Sequence, residues 1–121
     1  MLKVRDVYIL AAAMIGDREN DDADSRDLSV PYMNVLLQEA LNCENSIRAV
    51  NEEAELASAP IVTLLTDDIP YHDDLVRAAF PYGLAWQYHQ DSGNLSLASQ
   101  YRNMFVEAVE RNYRFMMRKN R

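Results

Sequence analysis

The chain has 121 residues, of which 49% are hydrophobic and 26% are charged, and its net charge is −7. This length fits one domain, residues 1–121, which is long enough to bury a core without a disulfide or a metal. Because Cys43 is the only cysteine and there is neither a signal-peptide pattern nor a run of ~20 apolar residues, we expect a soluble intracellular protein without membrane contact.

The first predicted helix covers residues 4–15, where apolar side chains recur at helical spacing up to the helix-ending Gly16. Residues 17–27 follow with six acids, two arginines and no apolar periodicity. This composition predicts a solvated acidic loop. Three of its carboxylates are candidates for contacting a partner: Asp21, Asp22 and Asp24.

The second predicted helix begins at Ser29 as its N-cap, with Pro31 tolerated in the first turn, and continues to about Ala49. The next apolar run, residues 61–66, is rich in β-branched side chains and is bounded by Pro60 and two aspartates. It is typical of a short strand or an irregular extended segment. A single strand needs a partner from elsewhere to form a sheet.

A third helix is predicted after Pro70, because Asp73 and Asp74 are well placed against the dipole at its N-terminus. A fourth helix follows Asn94, which is a favourable N-cap residue. The predicted fold is therefore all-α. It is a small four-helix bundle with an irregular or short β-type segment between the second and third helices.

The last eleven residues, 111–121, reverse the sign of the charge. They contain five basic residues and no acid, so that residues 1–110 sum to −12. Aromatic and methionine side chains lie among these arginines, a composition that is enriched at protein interfaces. We therefore predict a basic C-terminal docking segment whose candidate residues are Arg111, Tyr113, Arg114, Met117, Arg118, Lys119 and Arg121.

No catalytic, metal or cofactor motif is evident. The histidines His72 and His89 are far apart in the sequence, and a glycine-rich phosphate loop is absent. The sequence His72-Asp73-Asp74 is more typical of a helix-capping acidic turn with an exposed histidine than of a ligand group. Cys43 lies beside an apolar stripe, which predicts a buried, inert thiol. We expect neither enzymatic activity nor a cofactor.

Three segments carry a family resemblance: residues 65–71 with an Ile-Pro pair, residues 78–85 with Pro-Tyr-Gly-Leu-Ala, and residues 94–101 with Leu-Ala-x-x-Tyr. Together they resemble the small head–tail connector (adaptor, or head-completion) proteins of tailed bacteriophages and prophages. The motifs are short and contain no catalytic residues.

This resemblance implies a structural virion protein that joins a homo-oligomeric ring, dodecameric in such a family, beneath the portal protein. Its other partner is a tail or stopper protein, and DNA passes through the ring only as cargo. The implied location is the virion neck, and the host cytoplasm during assembly. The basic segment 111–121 is the candidate for reaching the portal.

Two roles remain open for the acidic segment 17–27: pairing with the basic segment of a neighbouring subunit, or lining the channel, where negative charge repels DNA. Two other functions also remain open. One is an acidic helical protein-binding module that mimics DNA or regulates a basic partner. The other is a small enzyme that uses His72 and nearby acids.

Overall fold

The computed structural model describes residues 1–16 and 23–119, and most of these residues are helical. The all-α prediction is confirmed. The elements are α1 (Val4–Ala11), a short 3-10 helix (Ala12–Ile15), α2 (Ala23–Glu39), α3 (Leu41–Val50), α4 (Asp73–Asp91) and α5 (Leu95–Lys119). The described chain thus has five α-helices where four were predicted. None of them has the length and apolar character needed to cross a bilayer.

The first helix ends as its sequence predicts. After α1 the chain tightens into the 3-10 helix, and Gly16 then adopts a left-handed conformation with φ of 85°. Glycine adopts this conformation without the steric cost that a Cβ atom imposes. One side of α1 is fully buried, including Val4, Val7 and Tyr8, while Ile9 and Leu10 remain exposed on the other side.

The start of α2 differs from the prediction. The helix begins at Ala23, so the last five residues of the predicted acidic loop are helical, while residues 17–22 lie outside the described part. Ser29 is not a cap: it is buried inside α2, and its hydroxyl donates to the Ser25 carbonyl at 3.2 Å. Small polar residues therefore face the core here, and a search for apolar periodicity overlooks them.

The predicted second helix is also divided in two, because the backbone leaves helical geometry at Ala40 between α2 and α3. The division follows from packing: α2 packs on α4, whereas α3 packs on α5. Cys43 of α3 is buried as predicted, and its thiol lies 3.7 Å from the Val109 carbonyl of α5. Burial, together with the charge of Glu44, raises the pKa of this thiol to about 11.

Between α3 and α4 the chain forms no strand. The described residues contain one isolated antiparallel bridge, between Lys3 and Asp68. Of the two alternatives predicted for residues 61–66, the irregular segment is observed. Its inner side chain Val62 is buried, as is Ile69 beyond it.

Helix α4 lies at the centre of the helical fold and packs against α1, α2 and α5. Its first turn contains Asp73 and Asp74, as predicted. The α4–α5 hairpin is closed by Asn94, whose side-chain oxygen accepts a hydrogen bond from the Leu97 N–H at 3.3 Å, which confirms the predicted cap. Trp86 and Phe105 pack together in the core between these two helices.

Candidate docking surface

The C-terminal half of α5 presents three arginines to solvent. Arg111, Arg114 and Arg118 follow one another at spacings of three and four residues, so they lie along one side of a helix with about 3.6 residues per turn. Arg114 has a long ion pair with Glu110, at 3.5 Å and largely exposed. Such a pair contributes little to stability. The stripe is therefore available to an acidic partner.

A groove lies beside this stripe, between α4 and α5, and we call it the α4–α5 groove. Its volume is about 480 Å³, within the range of ~300–1,000 Å³ that is usual for binding sites. Two of its apolar side chains are well exposed: Phe115 is 60% exposed and Met104 is 44% exposed. The complete lining is Ala78, Tyr82, Met104, Glu107, Ala108, Arg111, Asn112 and Phe115.

A second depression of about 330 Å³ extends the groove toward α1. Ala78 and Tyr82 line both hollows, so the two adjoin each other. The extension adds Leu10 and Met14, together with Arg77 on its edge. One apolar surface with arginines at its border therefore crosses three helices. Contiguous apolar surfaces with a polar rim are characteristic of sites that bind another protein.

Asn112 adds a polar feature to the groove. Within the described residues, its side-chain oxygen is the one buried side-chain nitrogen or oxygen atom without a hydrogen-bond partner. An unsatisfied buried acceptor costs roughly 1–3 kcal/mol. Because this oxygen is almost inaccessible to solvent, a donor in the groove reaches it only if the Asn112 side chain moves.

The predicted site residues fall into four groups. Arg111, Arg114 and Arg118 are exposed on the stripe described above. Tyr113 and Met117, one helical turn apart, lie on a different side of α5 from Arg111. Lys119 is the last residue of α5, and Asp24 is exposed in the first turn of α2. The remaining predicted residues, Asp21, Asp22 and Arg121, lie outside the described residues.

The groove has no counterpart among the features predicted from the sequence. Tyr82, which lines it, is partly buried and stacks on Tyr101 with ring centroids 6.5 Å apart. A signal was present on α5, since Met104, Arg111 and Phe115 lie on one side of the helix. The contribution of α4 depends on how the two helices pack, which this spacing does not reveal.

The environment of His72 corrects another prediction. The histidine is partly buried, and its two ring nitrogens lie 3.0 Å from carboxylate oxygens of Glu44 and Glu53. Glu44 is fully buried and also accepts a hydrogen bond from Arg48 Nε at 2.6 Å. These residues therefore join α3 to the start of α4. No group of three or more His, Cys, Asp and Glu residues in the described part could hold a metal ion.

The pKa of His72 is the result of opposing effects. Burial lowers this pKa. The hydrogen bonds to Glu44 and Glu53, together with the charges of both carboxylates, raise it by more than burial lowers it, so the pKa lies above the ordinary 6.5. The same contact lowers the pKa of Glu53. The imidazolium form donates one hydrogen bond to each carboxylate and is therefore the form that the fold favours.

No family model matches the chain, and neither a curated protein nor a solved structure is significantly similar to it.

Proposed function

We propose that this chain is a structural subunit of a tailed bacteriophage or prophage virion. It acts as a head–tail connector that docks on the portal protein and extends the DNA channel. The resemblance of residues 65–71, 78–85 and 94–101 to connector proteins supports this function. The last two of these segments fall within α4 and at the start of α5, the two helices that form the docking surface.

The observation that carries the proposal is the C-terminal half of α5. A helix that served only to close the core would expose mainly polar side chains there. Here Phe115 and Tyr113 are exposed beside three arginines. Aromatic and arginine side chains are enriched among residues that dominate binding energy at protein interfaces. We assign this part of α5 to the contact with the portal.

The charge of the remainder of the chain fits a role in which DNA passes without being held. Residues 1–110 sum to −12. Stable DNA binding requires Lys and Arg side chains that neutralise phosphates, whereas an acidic surface repels them. The proposed location is the virion neck, with assembly in the host cytoplasm. The proposed partners are further copies of the chain, the portal protein and a tail or stopper protein.

The direct test is a pulldown of the purified chain with the portal protein encoded in the same genome, analysed by native mass spectrometry. We expect a stoichiometric complex that is lost when residues 111–121 are removed. A matched control is Leu95→Asp, which changes an exposed apolar residue at the opposite end of α5 and should leave the complex intact. Absence of any complex at micromolar concentrations, with the chain well folded, would overturn the connector function.

The second candidate is an acidic protein-binding module that mimics DNA. The charge of residues 1–110 favours it, and several carboxylates beside α3 and α4 are exposed, including Glu52, Glu55 and Asp74. This module would bind a basic nuclease or repressor and would neither self-assemble nor bind the portal. The same pulldown, repeated with such basic proteins, separates the two functions.

A further inference from the structure

The irregular segment between α3 and α4 exposes two large apolar side chains. Ile61 is 78% exposed, the highest value among the large apolar side chains of the described residues, and Leu64 is 59% exposed. We call residues 59–66 the apolar loop. Exposure of this extent is unusual in a segment that also contributes Val62 to the core.

The apolar loop is held in place by specific hydrogen bonds. The Val62 N–H donates to the Asn34 side-chain oxygen at 2.8 Å, and the Asn34 amide donates back to the Val62 carbonyl at 3.0 Å. Asp67 accepts from the backbone N–H groups of Thr63 and Leu64 at 2.8 and 3.0 Å. Ile61 and Leu64 are therefore presented outward by an ordered backbone, which reduces the entropy lost on binding.

The charge around the loop is complementary to that around the α4–α5 groove. Residues 51–70 contain five acids and no Lys or Arg; Glu53 and Asp68 are paired within the chain, whereas Glu52 and Glu55 are exposed. The charged residues that line the joined hollows are Arg77, Arg111 and one acid, Glu107. Arg77 and Arg111, at the edges of the joined hollows, have no ion-pair partner within the described residues. An occupant of the groove with carboxylates on its flanks would pair with them.

The exposed apolar side chains of the loop match those of the groove. Insertion of Ile61 would place an apolar side chain against Met104 and Phe115, which are 44% and 60% exposed. Apolar contact and charge thus favour the same occupant.

The loop and the groove are separate surfaces of the subunit. The loop is bound to α2 through Asn34 and to α1 through the hydrogen bond from the Arg5 N–H to the Leu65 carbonyl, whereas the groove is formed by α4 and α5. Two different complementary surfaces on one chain produce a head-to-tail contact, and such contacts generate closed rings when the rotation between subunits allows it.

We propose that the apolar loop of one copy of this chain inserts Ile61 and Leu64 into the α4–α5 groove of a second copy. This contact rests on the proposed function in one respect, namely that the chain assembles with itself. It identifies the occupant of the groove as the neighbouring subunit, which contacts Arg111 and Phe115, while Arg114, Arg118 and Tyr113 outside the groove remain for the portal.

The test uses two exposed variants that should keep the fold, Ile61→Asp/Leu64→Asp in the loop and Ala78→Glu in the groove, with circular dichroism to verify folding. Self-association is measured by sedimentation equilibrium up to about 1 mM, where even millimolar affinity is visible. Each variant should weaken association by about 30-fold or more. Leu95→Asp is the matched control and should associate like the wild-type chain. Met104→Glu is a second groove variant in case Ala78→Glu misfolds.

Mixing the two variants gives the decisive result. The loop variant retains an intact groove, and the groove variant retains an intact loop, so the mixture should form one-to-one heterodimers although neither variant associates alone. A wild-type chain that stays monomeric at about 1 mM, or a mixture without heterodimers, would overturn the contact.

The portal pulldown separates this inference from the proposed function. Portal binding without self-association overturns only the loop-in-groove contact, whereas self-association without portal binding overturns only the connector function. If Ala78→Glu blocked portal binding and left self-association intact, the groove would belong to the portal and the inference would be wrong.

Discussion

At the scale of single residues, Glu44 is the most constrained group in the described chain. Its carboxylate is fully buried and accepts from the His72 backbone N–H, the His72 ring and the Arg48 guanidinium. Arg48 also donates to the carbonyls of Ala54 and Pro70. A buried charge is tolerated when it is paired and fully hydrogen-bonded, and this network meets that requirement.

This network predicts a pH dependence of stability. The pKa of His72 is raised in the folded chain, so its contribution to stability is fully present below pH 6.5 and is lost as the pH rises through the raised pKa. The lowered pKa of Glu53 acts in the opposite direction, and its contribution is lost as the pH falls below 4.5. The free energy of unfolding should therefore be highest between these limits and should decline toward alkaline pH.

Urea denaturation across this pH range, compared between the wild-type chain and His72→Gln, checks the prediction. The variant should lose most of the decline between pH 6.5, the ordinary pKa of histidine, and pH 9.0, above which the raised pKa of Cys43 adds a decline of its own. Glu39→Gln, which removes an exposed carboxylate on α2, should retain the decline. Equal pH profiles for the wild-type chain and His72→Gln would show that His72 does not control it.

At the scale of elements, two asparagines replace a strand partner for the segment between α3 and α4. Asn34 of α2 binds both backbone groups of Val62, and Asn45 of α3 binds both backbone groups of Leu56 at 2.8 and 3.0 Å. A side-chain amide has one donor and one acceptor side, so it pairs with a residue's N–H and C=O as a neighbouring strand would. Backbone pairing within a sheet is therefore unnecessary here.

Replacing Asn34 by Ala should destabilise the chain by about 1–3 kcal/mol, because the buried Val62 would lose both hydrogen-bond partners. Urea denaturation measures the loss, and hydrogen exchange of the Val62 amide should accelerate selectively. Asn103→Ala, on the exposed side of α5, is the control and should stay within about 0.5 kcal/mol of the wild-type chain. Equal stabilities for the two variants would contradict the role of Asn34.

The contact between α2 and α4 depends on the absence of a side chain at Gly83. A Cβ atom there would lie 2.5 Å from one methyl carbon of the fully buried Leu36 and 2.7 Å from the other. This contact explains why a glycine occurs within the Pro-Tyr-Gly-Leu-Ala segment. The sequence alone does not explain it.

Gly83→Ala should therefore destabilise the chain by about 1–3 kcal/mol through overpacking, although alanine favours a helix by about 1 kcal/mol over glycine. The double variant with Leu36→Ala tests the cause, since it removes the clashing atoms. In a double-mutant cycle the cost of Gly83→Ala should disappear or change sign in the Leu36→Ala background. An unchanged cost would assign the effect to another contact.

At the scale of the whole molecule, charge is divided between an acidic body and a basic end. Residues 111–121 contain five basic residues, and the three arginines of the described stripe are exposed. Interactions among exposed charges weaken with salt, whereas complementary surfaces accelerate association and select partners. The division of charge therefore concerns binding and contributes little to the fold.

Arg114→Glu/Arg118→Glu should weaken portal binding by about tenfold or more while leaving stability and self-association unchanged. Arg5→Glu, another exposed arginine far from α5 in sequence, is the control. Adding Asp21→Lys, Asp22→Lys and Asp24→Lys should not restore binding if the stripe contacts the portal. Restored assembly in the combined variant would instead support pairing between the stripe and the acidic segment of a neighbouring subunit.

The candidate site was only partly predictable. The arginines of α5 could be found from the sequence. The end of this helix contains no acid and no regular apolar stripe, so its basic side chains are expected to lie in solvent. Ala78 and Tyr82 could not be found, since their place in the groove depends on the packing of α4 against α5. His72 was misassigned for a similar reason, because its partner Glu44 is distant in sequence and becomes a neighbour only through the fold.

By itself the sequence determined the helices whose apolar side chains recur at helical spacing, α1, α4 and α5, and the cap at Asn94, because these features depend on interactions between residues close in the chain. The tertiary structure alone decided the helical state of residues 23–27, the break at Ala40 and the irregular path of residues 51–72. In each case the deciding contacts join residues far apart in sequence. Local propensity cannot specify where small polar residues are buried, or which side chain satisfies a distant backbone group.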